Sequence, residues 1–213
     1  MLGLGLTYTQ KQNLRVTMSI LDTITIATTA QLRAEHHPRE ILAAEDAGRI
    51  FRVATGIWVS PEIYVDPQLD DALACLSGGV IGYLSAAMKH NLCDAIPPST
   101  YVIVPVNISR PRQRLPIQYI RTRSEDALTI GVDVTDFHGW PIRMTNPART
   151  VVDLYRIEPK GIRQHSAAAL TRYIAADLPT GDIADIADRF GTWDVIRPEV
   201  EIAKEALKGG FAP

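Results

Sequence analysis

The pattern of hydrophobic and polar residues between positions 26 and 60 predicts two short helices followed by a β-hairpin. Thr28 and Gln31 have the spacing of a capping box, in which each side chain accepts a hydrogen bond from the other residue's backbone N–H. The dipeptide His36-His37 would end the first helix. Pro38 suits the first position of a second helix, because a backbone N–H there has no partner within the helix. The sequence therefore predicts a helix, a sharp turn and a second helix.

The second predicted helix has an apolar face and a polar face. The residues expected to face inward are Ile41, Leu42 and Ala44. The residues expected to face outward are Arg39, Glu40, Ala43 and Asp46. Gly48 would end the helix in the left-handed conformation, which glycine adopts without steric cost.

Two apolar runs, 49–54 and 57–60, are joined at Thr55-Gly56, which is typical of a hairpin. Hydrophobic residues at helical spacing over 13–24 predict one more helix before the first two. Three helices and a hairpin are typical of a winged helix-turn-helix, in which the second helix of the turn lies in the DNA major groove. We therefore predict a DNA-binding domain over residues 1–65.

The remainder of the chain mixes helical and strand patterns. Residues 61–65 would be a linker or a last strand. Helices are expected at about 66–76, 80–90, 146–154, 162–176, 180–190 and 198–207. Strands are expected at 101–106 and 117–123, followed by a hairpin over 132–144 that turns at His138-Gly139. The predicted fold is α+β: an N-terminal winged helix-turn-helix plus a C-terminal mixed domain, residues 66–213, with a small β-sheet and several helices.

Composition and charge restrict the kind of function expected. The net charge is −2 and the pI is about 6.2, so any DNA contact would have to come from a local basic patch. No apolar run approaches the roughly 20 residues of a membrane span, and no signal-peptide pattern is present. Cys75 and Cys93 lack the spacing of metal or redox motifs and are expected to be buried, reduced thiols. We expect a cytoplasmic protein whose residues 1–12 form a loosely ordered arm.

The second predicted helix carries two candidate base-reading residues. Arg39, at the helix start, would reach a guanine or a phosphate, and Glu40 would accept a hydrogen bond from cytosine N4. Glu45 and Asp46 on the same helix would repel the DNA backbone. The alternative is a solvated face of a degenerate module that serves dimerisation or packing.

The other candidate DNA contacts are arginines outside that helix. Arg33 lies on the first predicted helix, and Arg49 and Arg52 lie in the first hairpin strand, which has no acidic residue. Arginines in a wing usually contact phosphates or enter the minor groove. The alternative is that they are surface arginines paired with Glu35 and Glu62.

A second basic segment covers residues 109–123, which contain five arginines and no acidic residue. Prolines at 111 and 116 favour an extended backbone. This strip would extend the DNA contact or bind an acidic partner, and the alternative is a solvated loop. Its candidate DNA-binding residues are Arg110, Arg112 and Arg114.

Catalysis is not expected. Asp133, Asp136 and Asp153 could suggest a metal-dependent nuclease, since paired carboxylates hold divalent ions. The five histidines are scattered, and there is no phosphate-binding glycine loop. We predict no catalytic residue, no metal site and no cofactor. Arg149 and Asp153, at i and i+4, are expected to form a structural ion pair that fixes a helix against the sheet.

Six stretches of the sequence resemble one family. Three lie in the first 60 residues: T-T-A-Q-L-R-A, H-P-R-E-I and G-R-I-F-R-V-A-T-G-I-W-V. The others are G-G-V-I-G-Y-L-S-A-A-M-K-H-N-L from 78, P-P-S-T-Y-V-I-V-P from 97 and G-W-P-I-R-M-T-N-P-A-R-T-V-V-D-L from 139. Together they resemble AbiEi-type antitoxins of bacterial abortive-infection toxin–antitoxin systems. The chain departs from the family pattern at Tyr83, where histidine is common, and after residue 157.

The resemblance implies a type IV antitoxin that represses its own operon by binding inverted repeats in the promoter DNA. It also implies a nucleotidyltransferase-type toxin as functional partner, antagonised indirectly and so without a stable complex. The C-terminal domain would carry the antitoxin activity. A protein–protein interaction module whose winged domain no longer binds DNA is the alternative, and the oligomeric state is left open.

Overall fold

The computed structural model describes residues 25–76, 78–108, 115–156 and 163–209. The chain divides into two compact units, and the described residues of the first are 25–69. These residues form one three-stranded sheet, one five-stranded sheet and several helices. This confirms the predicted α+β class.

The first unit contains three strands and three helices among its described residues. In chain order they are β1 (Ile26–Thr28), α1 (Thr29–Glu35), α2 (Pro38–Asp46), β2 (Phe51–Ala54), β3 (Ile57–Val59) and α3 (Pro61–Tyr64). The strands form an antiparallel sheet in the order β1-β3-β2. Its core consists of Ala27, Leu32, Ile41, Ala44, Ile50 and Trp58. Helix, turn, helix and hairpin follow one another as in a winged helix-turn-helix.

Helices α1 and α2 begin at the residues that the sequence predicts, and capping hydrogen bonds form at both starts. Gln31 N–H donates to Thr28 Oγ1 at 3.2 Å and Thr28 N–H donates to Gln31 Oε1 at 2.8 Å, so the capping box is confirmed. A second box, which the sequence did not reveal, begins α2. There Arg39 N–H donates to His37 Nδ1 at 3.3 Å, and His37 N–H donates to Glu40 Oε2 at 2.9 Å.

The end of α2 also follows the prediction. Gly48 has φ +66° and follows the C-cap residue Ala47. Its N–H donates to the Glu45 carbonyl, and Arg49 N–H donates to the Ala44 carbonyl, both at 2.9 Å. These two bonds form a Schellman motif, which satisfies carbonyls that a helix end leaves unpaired.

Two expectations for the first unit are corrected, and one strand was not expected. Strand β1 was not predicted; it forms because Ile26 pairs with Val59 across the sheet. Residues 61–64 are helix α3, not a strand, with a proline at its first position. Leu42 is 56% exposed instead of facing inward, since it lies about 100° around the helix from the buried Ile41. The expected arm 1–12 and helix 13–24 lie outside the described residues.

The second unit is built on a mixed sheet in the order β6-β5-β4-β8-β7, with β5–β6 and β4–β8 parallel. Its strands are β4 (Val80–Ile81), β5 (Thr100–Pro105), β6 (Ile117–Thr122), β7 (Val132–Phe137) and β8 (Trp140–Thr145). Its helices are α4 (Leu69–Cys75, which starts at the unit boundary), α5 (Tyr83–Lys89), α6 (Asp126–Thr129), α7 (Pro147–Arg156), α8 (Ser166–Ala175), α9 (Thr180–Arg189) and α10 (Trp193–Lys208).

Most elements of the second unit were predicted, but helix α6 and strand β4 were not, and several predicted helices begin at other residues. The predicted hairpin turn is confirmed, with positive φ at both His138 and Gly139, as a type I′ turn requires. The helix expected from residue 80 starts three residues later, because Val80 and Ile81 are fully buried as the central strand β4. Helix α10 starts at Trp193, ahead of the proline expected to begin it.

A buried ion pair connects α7 to its surroundings. Arg149 Nε lies 2.9 Å from Asp153 Oδ1, and both side chains are almost completely buried. The Arg149 guanidinium also donates to the carbonyls of Ala127 and Ile130. Arg156 Nη1 lies 3.0 Å from the same Asp153 oxygen. Burial raises the pKa of the Asp153 carboxyl, and the two guanidinium groups oppose that effect. The predicted structural pair is confirmed.

Both cysteines are free thiols buried in the second unit, as expected. Burial raises the pKa of the Cys75 thiol to about 11. Its sulfur donates to the carbonyl of Arg143 and accepts from the N–H of the same residue. The thiol therefore acts as a polar link between α4 and β8.

We predict that Asp153→Asn lowers the free energy of unfolding by about 3–5 kcal/mol, because the buried Arg149 guanidinium loses its counter-charge. Urea unfolding followed by circular dichroism measures this. Asp94→Asn is the control: it removes a carboxylate from the exposed pair with Arg172 and should leave the midpoint close to wild type. Equal midpoints for Asp153→Asn and wild type would contradict the prediction.

Candidate nucleic-acid interface

The outer face of α2 is a short stripe of exposed residues at positions i, i+3, i+4 and i+7. They are Arg39, Leu42, Ala43 and Asp46. Glu40 is half-buried, and its carboxylate accepts from the His37 N–H within the capping box. The structure thus gives Glu40 a role in starting the helix and leaves Arg39 as the outward-facing candidate.

The four predicted arginines of the first unit differ in position. Arg33 is exposed in the last turn of α1, Arg39 is exposed at the start of α2, and Arg52 is exposed on β2. Arg49 is half-buried between α2 and β2. None of the four forms an ion pair with another described residue, so the pairing with Glu35 or Glu62 considered as an alternative is not seen there. Within the part of the chain that the structure describes, no carboxylate lies within ion-pair distance of these guanidinium groups.

Two of these arginines line one cleft between α1, α2 and the hairpin. The cleft has a volume of about 180 Å³. Its lining residues are Thr29, Arg33, Pro38, Ile41, Leu42, Arg52 and Trp58. Arg39 and Arg49 do not line it. The sequence indicated Arg33 and Arg52 separately, and the fold brings both to the side of α2.

Two hydrogen bonds to Thr29 hold the hairpin against α1. Thr29 N–H donates to the Gly56 carbonyl at 2.8 Å. The buried Trp58 indole N–H donates to Thr29 Oγ1 at 2.8 Å. Arg52, the cross-strand partner of Trp58, places its guanidinium carbon 5.5 Å from the centroid of the indole ring, within cation–π distance. The tryptophan therefore positions the arginine and ties the hairpin to the helix.

The predicted basic strip is only partly described. Arg110, Arg112 and Arg114 lie outside the described residues. Arg121 donates to the Val106 carbonyl. Arg123 lines an open cavity of about 450 Å³ at the carboxyl ends of the parallel strands β5 and β6. The side chains there are exposed or half-buried and include the carboxylate of Glu125.

The carboxylates considered for a nuclease occupy different environments. Asp133 and Asp136 are exposed on β7, and Asp136 accepts from the Gly139 N–H in the hairpin turn. Asp153 is buried against two arginines. Within residues 25–76, 78–108, 115–156 and 163–209, no three His, Cys, Asp or Glu side chains are grouped to hold a metal ion. None of the helices in these ranges is long and apolar enough to cross a membrane.

The comparisons with known proteins show the fold. No protein-family model and no curated protein matches the sequence. The chain is similar to the crystal structure of the Rv2827c protein from Mycobacterium tuberculosis, with a TM-score of 0.57 and 14% sequence identity. The match covers 89% of this chain and 75% of that one. At this identity, the similarity concerns the arrangement of the backbone alone.

We predict that Trp58 and Thr29 are coupled by about 1 kcal/mol, because their hydrogen bond is partly shielded from water. A double-mutant cycle with Trp58→Phe and Thr29→Val, followed by urea unfolding, measures this. Trp140→Phe is the matched control, since the Trp140 indole has no hydrogen bond to another described residue; combined with Thr29→Val it should be additive. Additivity in the Trp58 cycle as well would contradict the role given to this bond.

Proposed function

We propose that this protein is a DNA-binding transcriptional autorepressor and antitoxin of an AbiE-like type IV toxin–antitoxin system, acting in the cytoplasm. The observation that carries the proposal is the arginine-lined cleft of the first unit. Arg33 and Arg52 reach it from α1 and the hairpin, beside the exposed stripe of α2. The resemblance to AbiEi-type antitoxins supplies the antitoxin part.

In this proposal α2 enters the major groove and the arginines hold the phosphate backbone. A guanidinium group binds phosphate oxygens through two parallel hydrogen bonds. Arg33 and Arg52 have no ion pair with the described residues, so phosphate binding would not have to break one. The capping box that begins α2 keeps Arg39 at the end of the helix from which base edges are usually reached.

The acidic residues of α2 support a rival from another class, a protein–protein interaction module with a degenerate winged helix. Asp46 is exposed on the outer stripe and Glu45 is half-buried beside it. Each would oppose a nearby phosphate. Arg33 and Arg52, which form no ion pair within the described ranges, favour the DNA-binding proposal, because an interaction module needs no two such arginines beside a helix-turn-helix.

The antitoxin activity is assigned to the second unit. The most specific stretch of the resemblance, residues 139–154, corresponds to β8 and α7, where Arg149 and Asp153 form the buried pair. The proposed partners are the promoter DNA of its own operon, with inverted repeats, and a nucleotidyltransferase-type toxin without a stable complex. The proposal includes neither catalysis nor a cofactor.

We predict that binding to the DNA upstream of its own gene weakens with salt and that Arg33→Gln/Arg52→Gln reduces this dependence. For every phosphate that an arginine no longer neutralises, the slope of log K against log salt should fall by about 0.9. The reason is that fewer counterions are released on binding. Fluorescence anisotropy with labelled duplex at several salt concentrations gives the slope.

The matched control is Arg197→Gln, which removes an exposed arginine of the second unit and should leave the slope unchanged. Equal affinity of the wild type for its upstream DNA and for random duplex, even at low salt, would contradict the repressor proposal. The interaction-module alternative would then be favoured.

We also predict that repression and antitoxin activity are separable. Arg33→Gln/Arg52→Gln should relieve repression of a promoter–reporter fusion but still protect cells that express a nucleotidyltransferase toxin encoded beside the gene, because the second unit is unchanged. Growth and reporter output measured in the same strains test both. Loss of protection in a variant that remains folded and abundant would contradict the division of roles.

A further inference from the structure

Leu42 has an unusual environment for an exposed leucine. The residue is 56% exposed in the outer stripe of α2, next to the exposed Ala43. It also lines the cleft that holds Arg33 and Arg52. Single exposed leucines are common on protein surfaces. This one stands on the helix surface that the proposed function places against base edges.

The centre of the stripe has no hydrogen-bonding side chain. Arg39 lies at its amino-terminal end and Asp46 at its carboxyl-terminal end, with only Leu42 and Ala43 between them. In the major groove, guanine, adenine and cytosine present hydrogen-bonding groups, while thymine also presents its C5-methyl group. A leucine facing a donor or acceptor would remove water from it without replacing the hydrogen bond. The thymine methyl group is the base-edge feature that fits an apolar centre.

We propose that Leu42, together with Ala43, recognises thymine methyl groups in the major groove and so sets the sequence preference at the centre of each bound site. This inference rests on the proposed DNA-binding function and specifies its ligand. Leu42 is a specificity-determining residue in this view, while Arg33 and Arg52 supply affinity that does not depend on sequence.

Arg39 and Asp46, at opposite ends of the stripe, carry opposite charges and therefore favour different bases on the two sides of the thymine. Side chains three or four residues apart on a helix are about 5–6 Å apart, and successive bases along one strand are about 3.4 Å apart. Arg39 therefore reaches one or two base pairs from the thymine, where guanine or a phosphate suits a guanidinium group. Asp46 lies on the opposite side, where the N4 amino group of cytosine suits a carboxylate.

The test begins with selection of bound sites from random duplex DNA by the full chain. Each thymine of the selected site is then replaced, one at a time, by deoxyuridine, which keeps the hydrogen-bonding edge and lacks only the methyl group. For wild type, one or two positions in each bound site should lose about fourfold in affinity, the effect of exposing one buried methyl-sized group. In Leu42→Ala, the preference for thymine over deoxyuridine should become smaller at the position that Leu42 contacts, and a position contacted by Ala43 should keep it.

A matched control separates this effect from general loss of an exposed aliphatic side chain. Ile202→Ala truncates a residue of α10 that is 64% exposed and should keep the wild-type preference for thymine. Salt-dependent binding with no deoxyuridine effect at any position, or an undiminished effect in Leu42→Ala, would overturn the inference and leave DNA binding intact. Failure to enrich any duplex, without salt-dependent binding, would overturn the proposed function together with it.

Discussion

The arrangement of the first unit depends on two hydrogen bonds at Thr29. The first residues of any helix have backbone N–H groups without a partner inside the helix, and Thr29 is the first residue of α1. Its N–H is satisfied by the Gly56 carbonyl at the hairpin turn, and its hydroxyl accepts from the Trp58 indole. The hairpin thus acts as part of the cap of α1. Groups at the start of α1 that would otherwise bind water therefore hold the hairpin in place. The hairpin carries Arg52, which lies beside Arg33 for this reason.

The second unit is held by a different kind of interaction, a charge pair inside its core. Arg149 and Asp153 lie on consecutive turns of α7, and the guanidinium group donates outward to the carbonyls of Ala127 and Ile130. Its charge also lies 4.3 Å from the Phe190 ring centroid. One side chain therefore connects α7 with the segment before β7 and with the end of α9. Such a pair needs all of its partners, because a buried charge left alone is strongly unfavourable.

The sequence predicted those features that depend on neighbouring residues. The Thr28 capping box, the Gly48 helix end and the His138-Gly139 turn are each set within four or five residues. Strands β1 and β4 were not predictable in the same way, because two or three residues carry no periodicity and become strands only through distant pairing partners. The error at Leu42 has a similar origin: composition marks it as apolar, but only the position of the core decides which apolar residues of α2 are covered. The candidate site, too, could be predicted only in part from the sequence. The sequence indicated Arg33 and Arg52 by type, whereas their common cleft depends on the Trp58–Thr29 bond across 29 positions.

For the proposed repressor, the net negative charge of the protein contributes to its selectivity for one DNA site over other DNA. Phosphate contacts attract any duplex, and their strength grows with the number of basic groups on the binding face. A net charge of −2, with Asp46 exposed on α2, keeps that general attraction small. A repressor must distinguish one site from a large excess of other DNA, so the ratio of specific to non-specific affinity matters more than affinity alone. Two arginines beside a helix with an apolar centre fit that requirement. Such a surface binds few phosphates, so discrimination between DNA sequences depends on its contacts with the base edges.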